Sequence, residues 1–145
     1  MNKSIRKKLQ LIFKKISYGL FKLLYGRVLG IIDAKKDPRI NISKAFFLGT
    51  DPYIIYSIKF SKLYTDTINN TAFILDKKLI KGPSFQLKNA YYESTEKNAV
   101  FNIGTPRIKK SFKGSVLSML SGGAGNDNYW HWMFDVLPKL AIIKK

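Results

Sequence analysis

A chain of 145 residues, 46% hydrophobic and 14% aromatic, is about one domain long and carries enough apolar mass to bury a core, which excludes a disordered polyelectrolyte. No cysteine and a single histidine exclude a disulfide scaffold, a thiolate nucleophile, a cysteine-based zinc site and a histidine-rich metal centre, so metal binding could rest only on scattered carboxylates. A formal net charge of +17 favours polyanionic partners, whether nucleic acid, anionic lipid headgroups or phosphorylated substrates. Arginine occurs only at Arg6, Arg27, Arg39 and Arg107, and a lysine-rich, arginine-poor chain is a poor reader of bases, so no specific nucleic acid is expected. An AT-rich coding bias accounts equally well for the bulk of the lysine, though not for where it clusters.

The first segment, MNKSIRKKLQLIFKKISYGLFKLLYGRVLGII, is basic and amphipathic. Ile5, Leu9, Ile12, Ile16, Leu20 and Leu23 recur at the spacing of one helical face, and Lys7, Lys8, Lys14, Lys15 and Lys22 fall opposite. Charges interrupt the segment too often for a transmembrane span, and no apolar run leads to a small-residue cleavage site. Such a helix lies in a membrane interface, drawn by anionic lipid and held by its apolar side chains, so residues 1–32 are expected to tether the chain to a membrane surface. The plainer reading packs the helix on the domain and leaves its lysines solvated.

Residues 33–44, DAKKDPRINISK, read as a linker: charged, containing Pro38, with no apolar period. From residue 45 onward the pattern changes to short β-like runs. AFFLGTDPYIIYSIKF predicts two strands about the turn Gly49-Thr50-Asp51-Pro52, and TAFILD, residues 71–76, predicts a compact apolar strand followed by a charged turn. LIKGPSFQL breaks at Gly82-Pro83, and Gly104-Thr105-Pro106 marks a further turn. KGSVLSML, residues 113–120, reads as a buried strand running into Ser121-Gly122-Gly123-Ala124-Gly125, with a helical pattern from about Asn128 onward. Strands leading into a strand–glycine loop–helix unit predict the opening of an α/β domain. The helix ends LPKLAIIKK with no second parallel strand to follow, so residues 45–145 read as the N-terminal portion of an incomplete catalytic domain.

The stretch GGAGNDNYWHWMFDVLPKL, residues 122–140, holds the single histidine. On a helix, Asn128, His131 and Asp135 stand at i, i+3 and i+7 and share a face, and His131 and Asp135 lie within hydrogen-bond reach. Trp130, Met133, Phe134 and Leu137 form an apolar stripe on the other side, suited to the core. Asn126 or Asp127 would cap the start, and glycines ahead of a helix let its free N–H groups approach an anion. Pro138 removes one internal hydrogen bond and is expected to kink the helix or begin a new one. SGGAG lacks the spacing of the dinucleotide and Walker phosphate loops. A histidine beside an aspartate is often only a structural hydrogen bond, and tryptophans two apart are often only packing; the conjunction is what points to chemistry.

NYWHWMFDVLPKL resembles the signature of the family-61 glycosyltransferases, the group that includes capsular-polysaccharide biosynthesis proteins. Asn128, Tyr129, His131, Trp132, Asp135, Leu137, Pro138, Lys139 and Leu140 carry the likeness, with arginine more common in the family where Lys139 stands. The specific match covers residues 113–140, and a looser one extends back to about residue 64. The resemblance implies the N-terminal Rossmann-like half of a GT-B type enzyme, preceded here by the basic amphipathic helix. It implies inverting, metal-independent transfer of a sugar from a nucleotide-sugar donor to a glycan or lipid-linked glycan acceptor in capsular or surface polysaccharide biosynthesis. No cofactor is implied beyond that donor. The implied catalytic residues are His131 and Asp135, and the implied substrate contacts are Asn128, Tyr129, Trp132, Gly123 and Gly125. The donor nucleotide would be held mostly by a C-terminal half that is not in this sequence, so the chain alone is expected to be inactive.

An inverting transfer needs a base to take the acceptor hydroxyl proton. His131 can serve with Asp135 orienting its ring, or Asp135 can serve while His131 binds the acceptor. The expected location is cytoplasmic, peripheral on the inner face of the cytoplasmic membrane. Two readings without catalysis stand beside this one: a basic nucleic-acid-binding module, and a membrane-surface interaction module.

Overall fold

The computed structural model describes residues 3–46, 52–67, 70–89, 91–119 and 129–143. Over these residues the chain is a mixed α/β fold. It opens with a helix, α1 (Lys3–Tyr25), then β1 (Gly30–Asp33), a 3-10 turn (Ala34–Lys36), β2 (Ile40–Ala45) and β3 (Tyr53–Ile58). Next come β4 (Lys62–Thr67), β5 (Asn70–Leu75), β6 (Lys78–Lys81), β7 (Phe85–Lys88) and β8 (Tyr91–Tyr92). A second 3-10 turn (Thr95–Lys97) leads to α2 (Val100–Ile103), and the chain closes with α3 (Tyr129–His131), a π-helical stretch (Trp132–Val136) and α4 (Leu137–Ile143).

The main sheet turns on β5. Its last four residues, AFIL, are apolar, and the strand is buried on both faces, as a central strand must be. β4 runs antiparallel along one edge; on the other, β6 pairs antiparallel with Ile74 and Leu75, and β7 with Asn70 and Thr71. β8 extends β7, and β1 lies parallel to β6 from Gly30 opposite Lys78 to Asp33 opposite Lys81. The turn between β5 and β6 uses Asp76 and Lys77 at positive φ, the charged turn expected after TAFILD.

Alternation along these strands sorts the core into two layers, because successive side chains point to opposite faces. Ala72, Ile74, Leu79 and Ile31 face a cluster with Val28, Tyr64 and Val100, capped by Phe101 and Ile103 around α2. Phe73, Leu75, Ile80 and Ile32 face the other way and pack with Ala34, Ile40, Ile42, Tyr56 and Ile58. The second layer is the two-stranded ribbon of β2 and β3, paired antiparallel from Ile40 opposite Ile58 to Ala45 opposite Tyr53. The sheet is thus covered on one face by a short helix and on the other by a β-ribbon.

Two expectations change at this level. Residues 33–44 are not a free linker: Asp33 ends a sheet strand, Ala34 and Ile40 are core, and β2 begins at Ile40. Their charge is spent locally, since Arg39 grips Asp37 through Nε and Nη2 at 2.9 and 2.7 Å and reaches Asp76 at 2.6 Å. Residues 113–119 form no strand, and Val116 and Leu117 are exposed. An apolar run becomes a strand only where a sheet edge pairs with its backbone, and no described strand pairs with residues 113–119. Of the two strands expected in AFFLGTDPYIIYSIKF, the second is β3, while the first lies earlier as β2 and ends at Ala45; residues 47–51, with most of the expected turn, lie outside the described residues.

α1 has no buried residue. Ser17, Tyr18, Phe21, Lys22 and Tyr25, on one side of its last turns, are half-buried, while everything from Lys3 to Ile16 is exposed. That contact side is opposite the stripe of Ile5, Leu9, Ile12, Ile16, Leu20 and Leu23, so the apolar face points away from the domain. No helix among the described residues is long and apolar enough to cross a membrane.

Candidate functional site

The motif helix is built in three pieces. α3 opens at Tyr129 and closes at His131, the π-helical stretch takes in Trp132 to Val136, and α4 starts at Leu137 with Pro138 as its second residue. Proline lacks an N–H and its ring collides with the carbonyl one turn back. A wider turn ahead of it removes that collision, and the first turn of a new α-helix tolerates the missing donor. The restart expected at Pro138 is therefore met by widening the helix around Asp135. π stretches are rare and gather where a helix is put to a purpose other than packing. Positions 131 and 135 still fall about one turn apart, because a π turn takes up more than four residues.

Val136 and Lys139 both hold this helix. Val136 is buried at 2% exposure, and the Lys139 ammonium donates to the Met119 carbonyl at 2.8 Å. Lys139 thus binds the helix to the segment at 113–119. The expected core stripe does not form: Trp130, Met133, Phe134 and Leu137 are all exposed. The helix is held from the side of Val136 and Lys139, and no described element covers the stripe. Within it, Trp130 and Phe134 stack with ring centroids 5.4 Å apart and planes 13° from parallel. Tyr129 is exposed beside them.

Of the expected site residues, Tyr129 is accessible at the helix start, and the backbones of His131, Trp132 and Asp135 are helical at the α-to-π junction. The side chains of His131, Trp132 and Asp135 lie outside the described residues, as do Asn128, Gly123 and Gly125 in full. Among the described residues no group of acidic and histidine side chains is gathered as a metal site. Sequence reasoning did not anticipate the π stretch or the exposed Trp130–Phe134 stack. The signal for the first was Pro138 itself, three residues after the aspartate.

The chain matches no family model, no curated protein and no solved structure.

Proposed function

We propose that this chain carries the acceptor-side part of a glycosyltransferase that moves a sugar from a nucleotide-sugar donor to a glycan or lipid-linked glycan in surface-polysaccharide synthesis. The observation that carries the reading is the coincidence of the NYWHWMFDVLPKL motif with a π-helical stretch that starts immediately after His131 and contains Asp135. In this reading the mixed α/β sheet is the N-terminal, Rossmann-like half of a GT-B enzyme, and the donor nucleotide binds across from it. The imidazole of His131 accepts the proton of the acceptor hydroxyl as that oxygen bonds to the anomeric carbon and the nucleoside diphosphate departs. Asp135, one turn on, orients the ring and stabilises the imidazolium; in the reciprocal assignment Asp135 takes the proton. Asn128, Tyr129, Trp132 and the backbone at Gly123 and Gly125 contact substrate, and the exposed Trp130–Phe134 stack offers a flat apolar face beside them.

The same proposal places the enzyme at the inner surface of the cytoplasmic membrane. Support comes from α1, whose apolar stripe points away from the domain and whose opposite side carries the lysines.

The test is nucleoside diphosphate release from a panel of nucleotide sugars by the complete gene product, with glycan acceptors present, comparing wild type with His131→Ala and Asp135→Asn. The expected result is a fall in turnover of about 10²–10⁴-fold in at least one variant, the range for removing a general base. Wild-type turnover in both variants, or release from no donor, overturns the reading.

A further inference from the structure

Only Gly26 and Arg27 separate the end of α1 from Val28, which is buried in the core beside α2. Gly26 sits at φ +81°, a left-handed turn that ends the helix and that glycine takes without strain. A joint this short, with glycine in it, would let α1 swing if nothing else touched the helix.

Contacts from two distant parts of the chain close that joint. From the segment after α2, the Lys109 main-chain N–H donates to the Tyr25 hydroxyl at 2.9 Å. From the start of β4, the Lys62 ammonium donates to the Tyr25 carbonyl at 3.4 Å. That places a cation on a helix C-terminus, where carbonyls lack partners within the helix and the dipole is negative. The Lys22 stem lies so close to Gly104 that an added Cβ there would stand 3.0 Å from Lys22 Cγ. Within the helix, the Phe21 ring braces the Tyr25 phenol with centroids 5.6 Å apart. Lys22 and Tyr25 belong to the half-buried side of α1, opposite the stripe of Ile5, Leu9, Ile12, Ile16, Leu20 and Leu23. The segment at 104–113 therefore lies on the side of the helix away from its apolar face.

We infer that Tyr25 locks α1 as a rigid strut: it holds the helix at one angle to the domain, so a membrane surface that receives the apolar stripe also fixes the orientation of the domain. The segment at 104–113 then stands on the water side of the helix. A hinged tether would leave the domain free to tumble over the surface, whereas a strut keeps one side of it turned to the bilayer. Tyr25 is a positioning residue, acting on the direction of α1 and not on the sheet. The lock belongs to the chain in solution; the orientation rests on the reading of α1 as a membrane tether.

The chain has no cysteine, so introduced cysteines carry labels at chosen sites alone. Lys14→Cys on α1 and Lys81→Cys on β6 are both at exposed positions. A spin label at position 14 stands about 16 Å along the helix from Tyr25, so a swing of about 30° moves it by about 8 Å. Double electron–electron resonance on the full chain in solution is expected to give one narrow distance distribution. Tyr25→Ala/Lys62→Ala broadens it by about 8 Å, and Tyr25→Phe, which loses only the hydroxyl, broadens it less. An unchanged circular dichroism spectrum and urea midpoint show that the angle is lost and not the fold; should the double lose the fold, Tyr25→Phe carries the test. A broad distribution without the Tyr25 and Lys62 substitutions, or equal widths with and without them, overturns the lock. On three-to-one phosphatidylcholine–phosphatidylserine vesicles, an environment-sensitive fluorophore is expected to shift to the blue at Ile12→Cys and to stay unshifted at Ile108→Cys. A blue shift at both overturns the orientation. No shift at Ile12→Cys overturns the tether and the orientation built on it, while the distances in solution still decide the lock.

Discussion

Gly82 lies at a close approach between the main sheet and the ribbon that covers it. It follows β6, sits at φ +116°, and an added Cβ would stand 2.8 Å from the Tyr56 hydroxyl oxygen and 3.1 Å from two carbons of its ring. Gly82→Ala therefore faces two independent costs. The backbone conformation is one that L-residues avoid, at roughly 1–2 kcal/mol. The contact adds about 1–3 kcal/mol of overpacking, because the Tyr56 ring is packed against the ribbon-side core and cannot simply swing away. The sum is about 2–5 kcal/mol. With a urea slope of roughly 2 kcal/mol/M for a domain of this size, the denaturation midpoint falls by about 1–2.5 M. Replacing Tyr56 with Phe in the Gly82→Ala background removes the 2.8 Å contact and keeps the ring contacts, so it returns part of the loss, on the order of 1 kcal/mol. Urea melts of the two single variants and the double close this cycle. A Gly82→Ala loss under about 0.5 kcal/mol would refute the steric argument, and full recovery in the double would refute the backbone part of it.

Two further outcomes follow from the core and its edge. The buried Ser84 hydroxyl accepts the Phe73 N–H at 2.9 Å, so Ser84→Ala leaves that donor unpaired and costs about 1–3 kcal/mol by urea melt, while Ser84→Thr retains most of the stability. The Asp37 carboxylate accepts side-chain and main-chain N–H groups of Arg39, which hold its pKa down at about 2 against an ordinary value of 3.8. The folded state therefore binds this proton less readily than the unfolded chain. Its stabilisation is whole above about pH 4 and is lost as the pH falls toward 2. A stability–pH profile of Asp37→Asn lacks that part of the acid dependence, and an unchanged profile contradicts the assignment.

How much of this was readable in the residues depends on whether the pairing was local. TAFILD, the charged turn after it and the break at Gly82-Pro83 name β5, the β5–β6 turn and the start of β7, because each is fixed by a few neighbouring residues. The amphipathic stripe of α1 was equally plain, and so was a helix from about Asn128. β1 was invisible inside the helical segment, since Gly30–Asp33 becomes a strand only by lying along β6, some fifty residues later. The same non-locality made 33–44 look like a linker, although Ala34 and Ile40 complete the ribbon-side core. KGSVLSML erred in the opposite sense: its composition suits a strand, but no described sheet edge accepts residues 113–119. In the candidate site, the motif gave the helix and its restart at Pro138 but not the exposure of Trp130 and Phe134, because helical spacing identifies a stripe without saying what covers it.

The parallel run of β1 along β6 has a mechanical meaning for any load applied at the first helix. A pull on α1 passes through the bond from the Leu29 N–H to the Lys77 carbonyl and then along the axis of β1, so the rungs from Gly30 to Asp33 are loaded side by side rather than opened one after another. Bonds strained together in shear resist far longer than bonds peeled in sequence. Load entering at α1 is therefore passed from the edge strand β1 to β6 across all its rungs together.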